Sequence, residues 1–129
     1  MSLKKIESTQ APRPVGPYSQ AIAAGGFLFV SGQIALDPAT QQLVAGGISE
    51  QTQQVFKNIA AILGAAQLRF DNVVKVEIFL ADMADYAAVN SWYTRFFTVE
   101  PLPARYVVAV ASLPKQAQIE VSLTACFYQ

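Results

Sequence analysis

Pro103-Ala104-Arg105-Tyr106-Val107-Val108-Ala109-Val110 and Gln118-Ile119-Glu120-Val121-Ser122-Leu123 are two apolar runs near the end of the chain, each carrying one charged side chain. Both read as buried strands. An ionised group in such a strand is costly unless something pairs with it. Arg105 cannot escape by losing its proton, because a guanidinium stays charged at any relevant pH. It therefore needs an anion: Glu120, a carboxylate of another subunit, or a bound substrate. In the last strand Ile119, Val121, Leu123, Ala125 and Phe127 share one face, and Gln118, Glu120, Ser122 and Thr124 share the other. Glu120 thus points away from the apolar core. Arg105, Val107 and Ala109 share a face of the preceding strand. If the two strands are adjacent, Arg105 and Glu120 stand in one wall. Two readings stay open at this point: an ion pair that fixes strand register or subunit orientation, or a site.

Working outward, the pattern alternates between periods. Residues 18–24 and 27–35 are short apolar runs separated by Gly25-Gly26, a hairpin signal. Ser49 is placed to cap a helix running to about Gln67, with Val55, Ile59, Ile62, Leu63 and Ala66 on one face. In residues 73–80, Val74, Val76, Ile78 and Leu80 alternate with Lys75, Glu77 and Phe79, a strand with one wet or interfacial face. Asp82 is placed to cap a second helix whose stripe is Tyr86, Val89, Tyr93, Phe96 and Phe97, ended by Pro101-Leu102-Pro103. Strands over 104–110 and 118–127 close the chain. The order β-β-α-β-α-β-β predicts an α+β fold: a single mixed sheet with two helices on one face, within one domain spanning 1–129. The opposite sheet face must then meet something, most simply another subunit.

Composition narrows the function. Hydrophobic residues make up 53% of the chain and charged residues 14%, against roughly 25% charged in ordinary soluble domains. This favours an oligomer that buries apolar surface between copies. Nine basic and nine acidic residues cancel, and the basic ones are scattered, so there is no electrostatic footprint for nucleic acid. No apolar run approaches the ~20 residues that span a bilayer, and the N-terminus predicts no targeting segment; a cytoplasmic location is the expectation. The single cysteine, Cys126, excludes an internal disulfide and reads as a packed thiol. Histidine is absent. That removes the commonest general base and metal ligand, so neither a Ser-His or Cys-His triad nor a zinc site is expected.

Other residues invite a functional reading beside a bland one. Tyr18 follows Gly16-Pro17 in a loop and can orient a ligand or merely pack. Ser31-Gly32 interrupts a strand, marking a bulge or a close approach to a ligand. Asn90 lies beside the apolar stripe of the second helix. Trp92 and that stripe read as core.

Together, Gly16-Pro17-Tyr18-Ser19-Gln20-Ala21, Val30-Ser31-Gly32-Gln33-Ile34, Asp82-Met83-Ala84-Asp85-Tyr86-Ala87-Ala88-Val89-Asn90, Pro103-Ala104-Arg105 and Ile119-Glu120-Val121 resemble the RidA family, also called YjgF or L-PSP endoribonuclease. The resemblance runs from about Pro12 to Phe127. It implies a chorismate-mutase-like fold and a homotrimer with clefts between subunits. It also implies cofactor-free, metal-free hydrolysis of reactive enamines and imines, such as 2-aminoacrylate, to 2-oxo acids and ammonia; the alternative is a non-catalytic trimer that binds a small 2-oxo acid or regulates a partner through the same cleft. Carried over by position, Arg105 would grip the substrate carboxylate, Glu120 would position the attacking water, and Tyr18 would line the cleft. Ser31, Gly32 and Asn90 would shape the pocket. The family often has a cysteine where this chain has Val107, leaving only its backbone N–H for a ligand, and a small residue where it has Tyr106. The neutral charge and missing histidine count against the RNA cleavage in the family's name.

Overall fold

Gly25 and Gly26 both take positive φ, 59° and 86°. This is the two-residue turn whose twist matches flanking antiparallel strands. It pairs Ala24 with Phe27 and joins β2 (Ala21–Ala24) to β3 (Phe27–Gln33). The computed structural model describes residues 2–128. Its other strands are β1 (Lys4–Ile6), β4 (Val73–Leu80), β5 (Ala104–Ala109) and β6 (Ile119–Cys126), in one sheet of order β1-β2-β3-β6-β4-β5. Among the described strands only β4 and β5 run parallel; the remaining pairs are antiparallel, so the sheet is mixed, as expected for the α+β class. β1 was not foreseen, because three residues are too few to show a period.

The long helix α1 (Ile48–Ala65) starts one residue before the expected cap at Ser49. Glu50, in the first turn, reaches back and accepts a 2.8 Å bond from the Gly47 backbone N–H, so Ser49 is not needed as a cap. At its other end Gln67 takes φ 62°, and Leu68 N–H bonds back to Leu63 at 2.9 Å, which seats two buried leucines against each other. The shorter α2 (Tyr86–Phe96) is entered through a tight turn, Met83–Asp85. Asp82 caps that turn, accepting from Ala84 N at 2.9 Å, rather than α2 itself.

Both helices cover one sheet face. Leu28 and Val30 of β3, Val76, Ile78 and Leu80 of β4, and Ile119, Val121, Leu123 and Ala125 of β6 all point into that core. Phe56 of α1, fully buried, sits among Phe70, Tyr93, Phe96 and Phe97. Trp92, read from sequence as core, is half-buried at the rim with the Arg95 guanidinium 4.2 Å above its ring. Val74 also departs from expectation. A register shift between Val73 and Lys75 turns Val73 inward and leaves Val74 exposed; one extra residue in a bulge inverts the alternation before it.

The opposite face is open. Phe27, Phe29, Tyr106 and Val108 are each 40–50% exposed on it, with Phe79 between them. At its centre the Glu77 carboxylate accepts from Tyr106 Oη at 3.0 Å and from Ser122 Oγ at 2.8 Å.

Candidate functional site

Arg105 pairs in register with Val76, and Val76 with Leu123, both core residues; Arg105 therefore projects to the helix side of the sheet. There α2 meets it. Nη1 donates to Asn90 Oδ1 at 2.8 Å, Nη2 donates to Tyr86 Oη at 3.0 Å, and the guanidinium carbon lies 4.6 Å from the centre of the Tyr93 ring. Every one of these partners is neutral. Among the described residues no carboxylate pairs with Arg105. A guanidinium has five N–H groups, and the two bonds above leave enough of them for a two-point grip on a carboxylate. The Tyr93 hydroxyl is buried without a partner, and burial raises its pKa against the opposing pull of Arg105. Val107 lies on the Arg105 face and packs on the core edge.

Glu120 pairs in register with Phe79 and faces the open side. It lines a cleft of about 350 Å³ together with Tyr18, Gln20, Ser31, Gly32 and the proline-rich lead-in Pro12 to Val15. Burial pushes the Glu120 carboxyl above the ordinary glutamate range, because partial removal of water disfavours the charged form. Gly32 is what lets the carboxyl sit there. A Cβ at that position would run into Glu120 Oε2 and lie 3.0 Å from its Cδ. Here the bulge between Val30 and Gln33 brings the backbone against the side chain.

The cleft wall is built by hydrogen bonds from buried Gln20. Its Oε1 accepts from Ser8 N at 2.7 Å, and its Nε2 donates to Pro12 O at 2.8 Å. Ser31 Oγ donates to Ser19 O at 2.6 Å, holding the loop that carries Tyr18. The Tyr18 ring is exposed, and its hydroxyl accepts from Val15 N at 3.2 Å.

The sequence-named residues thus fall into two groups. Tyr18, Ser31, Gly32 and Glu120 share the cleft; Arg105, Asn90 and Val107 stand on the other side of the sheet. The expectation of Arg105 and Glu120 in one wall fails within a single chain. β4 lies between β5 and β6, and the register sends the two side chains to opposite faces. An intrachain ion pair between them is thereby excluded. Sequence reading also missed Tyr86 and Gln20. Tyr86 reads from sequence as part of a core stripe, and Gln20, though inside the Gly16–Ala21 motif, carries no sign of its own that its amide ties the lead-in to the cleft.

The endoribonuclease L-PSP family model matches residues 8–127. The chain belongs to the L-PSP, or RidA/YjgF, family. It is 44% identical over 122 residues to a mouse 2-iminobutanoate/2-iminopropanoate deaminase, covering 95% of this chain and 90% of that protein. A conserved Rid family protein of Yersinia pestis superposes with a TM-score of 0.94 at 42% identity, covering 97% of this chain and 99% of the other. TdcF of E. coli, solved with bound serine, superposes with a TM-score of 0.89 at 35% identity, covering 95% and 98%. Within this L-PSP chain Tyr106 faces away from Arg105 and is tied to Glu77, its ring edge-on to Phe79. It fills the open sheet face and leaves the Arg105 side untouched. The Glu77 bond raises the Tyr106 pKa.

Proposed function

We propose that this protein hydrolyses small 2-imino acids to 2-oxo acids and ammonia, in a site that two copies complete together. The carrying observation is the state of Arg105: a fixed cation whose three neighbours are neutral, with N–H groups to spare. Such a fork binds a carboxylate through two parallel bonds. The deaminase name of the mouse relative and the serine held by the E. coli relative fit a small ligand bearing a carboxylate.

The chemistry needs modest help because an imine carbon is already electrophilic. Arg105 fixes the carboxylate. The Glu120 carboxylate takes a proton from a water, the oxygen adds to the C=N carbon, and the electron pair moves onto nitrogen, which carries the iminium proton. Glu120 then returns its proton to the amine. The C–N bond breaks, C=O forms as the hydroxyl proton is lost to solvent, and ammonia leaves. A carboxyl whose pKa is raised by burial is suited to both directions of transfer. Tyr18, on the cleft side with Glu120, bonds the water or the substrate; Ser31, Gly32, Asn90 and Val107 shape the two halves.

The halves belong to opposite faces of one sheet, so bringing them together takes a second copy, whose Glu120 cleft faces this chain's Arg105. The exposed Phe27, Phe29 and Val108 supply the apolar surface for that contact. A head-to-tail contact closes into a ring when its rotation is a whole fraction of a turn, and a homotrimer is the ring that the family resemblance implies. No metal or cofactor takes part in this scheme.

Mixing two impaired variants tests it. Arg105→Ala and Glu120→Gln each keep only a small, measurable residual rate; unfolded together and refolded, they regain roughly a quarter of parental activity, since each site needs one copy of either kind in a fixed order. No recovery, with hybrid assemblies demonstrated by mass spectrometry, refutes the shared site. Parental activity in pure Arg105→Ala refutes the role of the arginine.

A further inference from the structure

We propose that Tyr86 is a positioning residue for the carboxylate-binding arginine, setting affinity for the anion without touching it; this rests on the role given to Arg105 above. Arg105 comes from β5, an edge strand, on a long side chain that would otherwise sample many rotamers. Three side chains of α2 remove that freedom. Tyr86, Asn90 and Tyr93 follow the i, i+4, i+7 spacing that puts residues on one helical stripe. Asn90 fixes Nη1, Tyr86 fixes Nη2, and Tyr93 supplies the flat surface beneath.

Tyr86 is 38% exposed, and its bond to the guanidinium lies at the solvent edge. The hydroxyl therefore does nothing for the core that a phenylalanine ring would not do. Its one described bond accepts from the guanidinium. Both oriented acceptors, an amide oxygen and a phenol oxygen, carry no net charge. They aim the fork without neutralising it, which a carboxylate in either place would do. The ligand consequence is a planar, two-point recognition of a carboxylate, dependent on the angle of the guanidinium plane. The turn Met83–Asp85, capped by Asp82, places Tyr86 at the first position of α2 and so sets where that oxygen lies.

The test compares parent, Tyr86→Phe and Arg105→Ala. Calorimetry measures 2-oxobutyrate binding, steady-state assays measure imine hydrolysis, and thermal unfolding measures stability. Loss of one exposed orienting hydrogen bond of ordinary net strength weakens binding by about 3- to 10-fold. Tyr86→Phe should therefore raise both Kd and KM by that factor, leave kcat within about twofold, and lower Tm by no more than about 3 °C, because only one exposed bond is lost and the ring and its packing remain. A Kd within twofold of the parent, with binding abolished in Arg105→Ala, overturns the role of Tyr86 and leaves the arginine reading intact. A kcat loss at unchanged Kd, or a larger fall in Tm that accounts for the weaker binding, also overturns it. Parental binding by Arg105→Ala removes both readings at once.

Discussion

Replacing Gly32 by alanine puts a methyl group where the Glu120 carboxyl now lies. A Cβ there meets Glu120 Cδ at 3.0 Å and Cγ at 3.2 Å, with Oε2 nearer still. Ordinary carbon contacts are ~3.5–4.0 Å, so the carboxyl must retreat by on the order of 1 Å. Gly32 has an ordinary φ, so the backbone itself accepts alanine. The obstacle is the far end of a flexible side chain, which relieves the clash at the expense of a poorer rotamer, about 1 kcal/mol. Catalysis is less forgiving. A misplacement of about 1 Å in a reacting group costs on the order of 10²-fold in rate, or ~2.7 kcal/mol of transition-state stabilisation. The expected result for Gly32→Ala is a small drop in unfolding free energy and a loss of about two orders of magnitude in kcat/KM, followed as 2-oxo acid release. The same substitution made in a Glu120→Gln background should cost much less in rate, because the group it displaces is already disabled. A full-sized effect in that background, or parental kcat/KM in Gly32→Ala, refutes the reasoning.

Four further outcomes follow from the geometry. Burial places the Glu120 pKa above its unfolded value, so the stability supplied by the neutral carboxyl is present at low pH and lost as pH rises through the raised pKa; Glu120→Gln should match the parent's Tm near about pH 4 and exceed it near about pH 8. The acidic limb of parental kcat/KM should likewise lie above the ordinary glutamate range. Phe56→Ala empties the centre of a buried aromatic cluster and should lower the unfolding free energy by about 3–5 kcal/mol, read by denaturant titration. Val108→Lys, on the open sheet face, should reduce the assembled mass in sedimentation and abolish activity together, leaving a folded chain by circular dichroism.

Much of the fold could be read from periodicity alone. The alternation in 118–127 placed Glu120 on the non-core face, and the Gly25-Gly26 pair marked its hairpin. What periodicity does not carry is spatial order. Nothing in residues 104–123 says that β4 inserts between the last two strands, or fixes the register across it that sends Arg105 and Glu120 to opposite faces. Val74 was misplaced because a bulge is a one-residue event that a period-two reading cannot register. Tyr86 went unnoticed because an aromatic on a helical stripe reads as packing, and only coordinates distinguish a phenol that packs from one that bonds.

The bond that Glu77 accepts from Tyr106 reaches further than its exposed setting suggests. Edge strands fray first, since half their backbone groups have no neighbour. In β5, however, two consecutive residues are tethered in opposite directions: Arg105 to helix α2 on one side, Tyr106 to Glu77, itself bonded to Ser122, on the other. The peptide between them is clamped like a rivet through the sheet. A border strand thereby gains the stiffness of an interior one, and hydrogen exchange at its centre should be slower than its place at the margin would give.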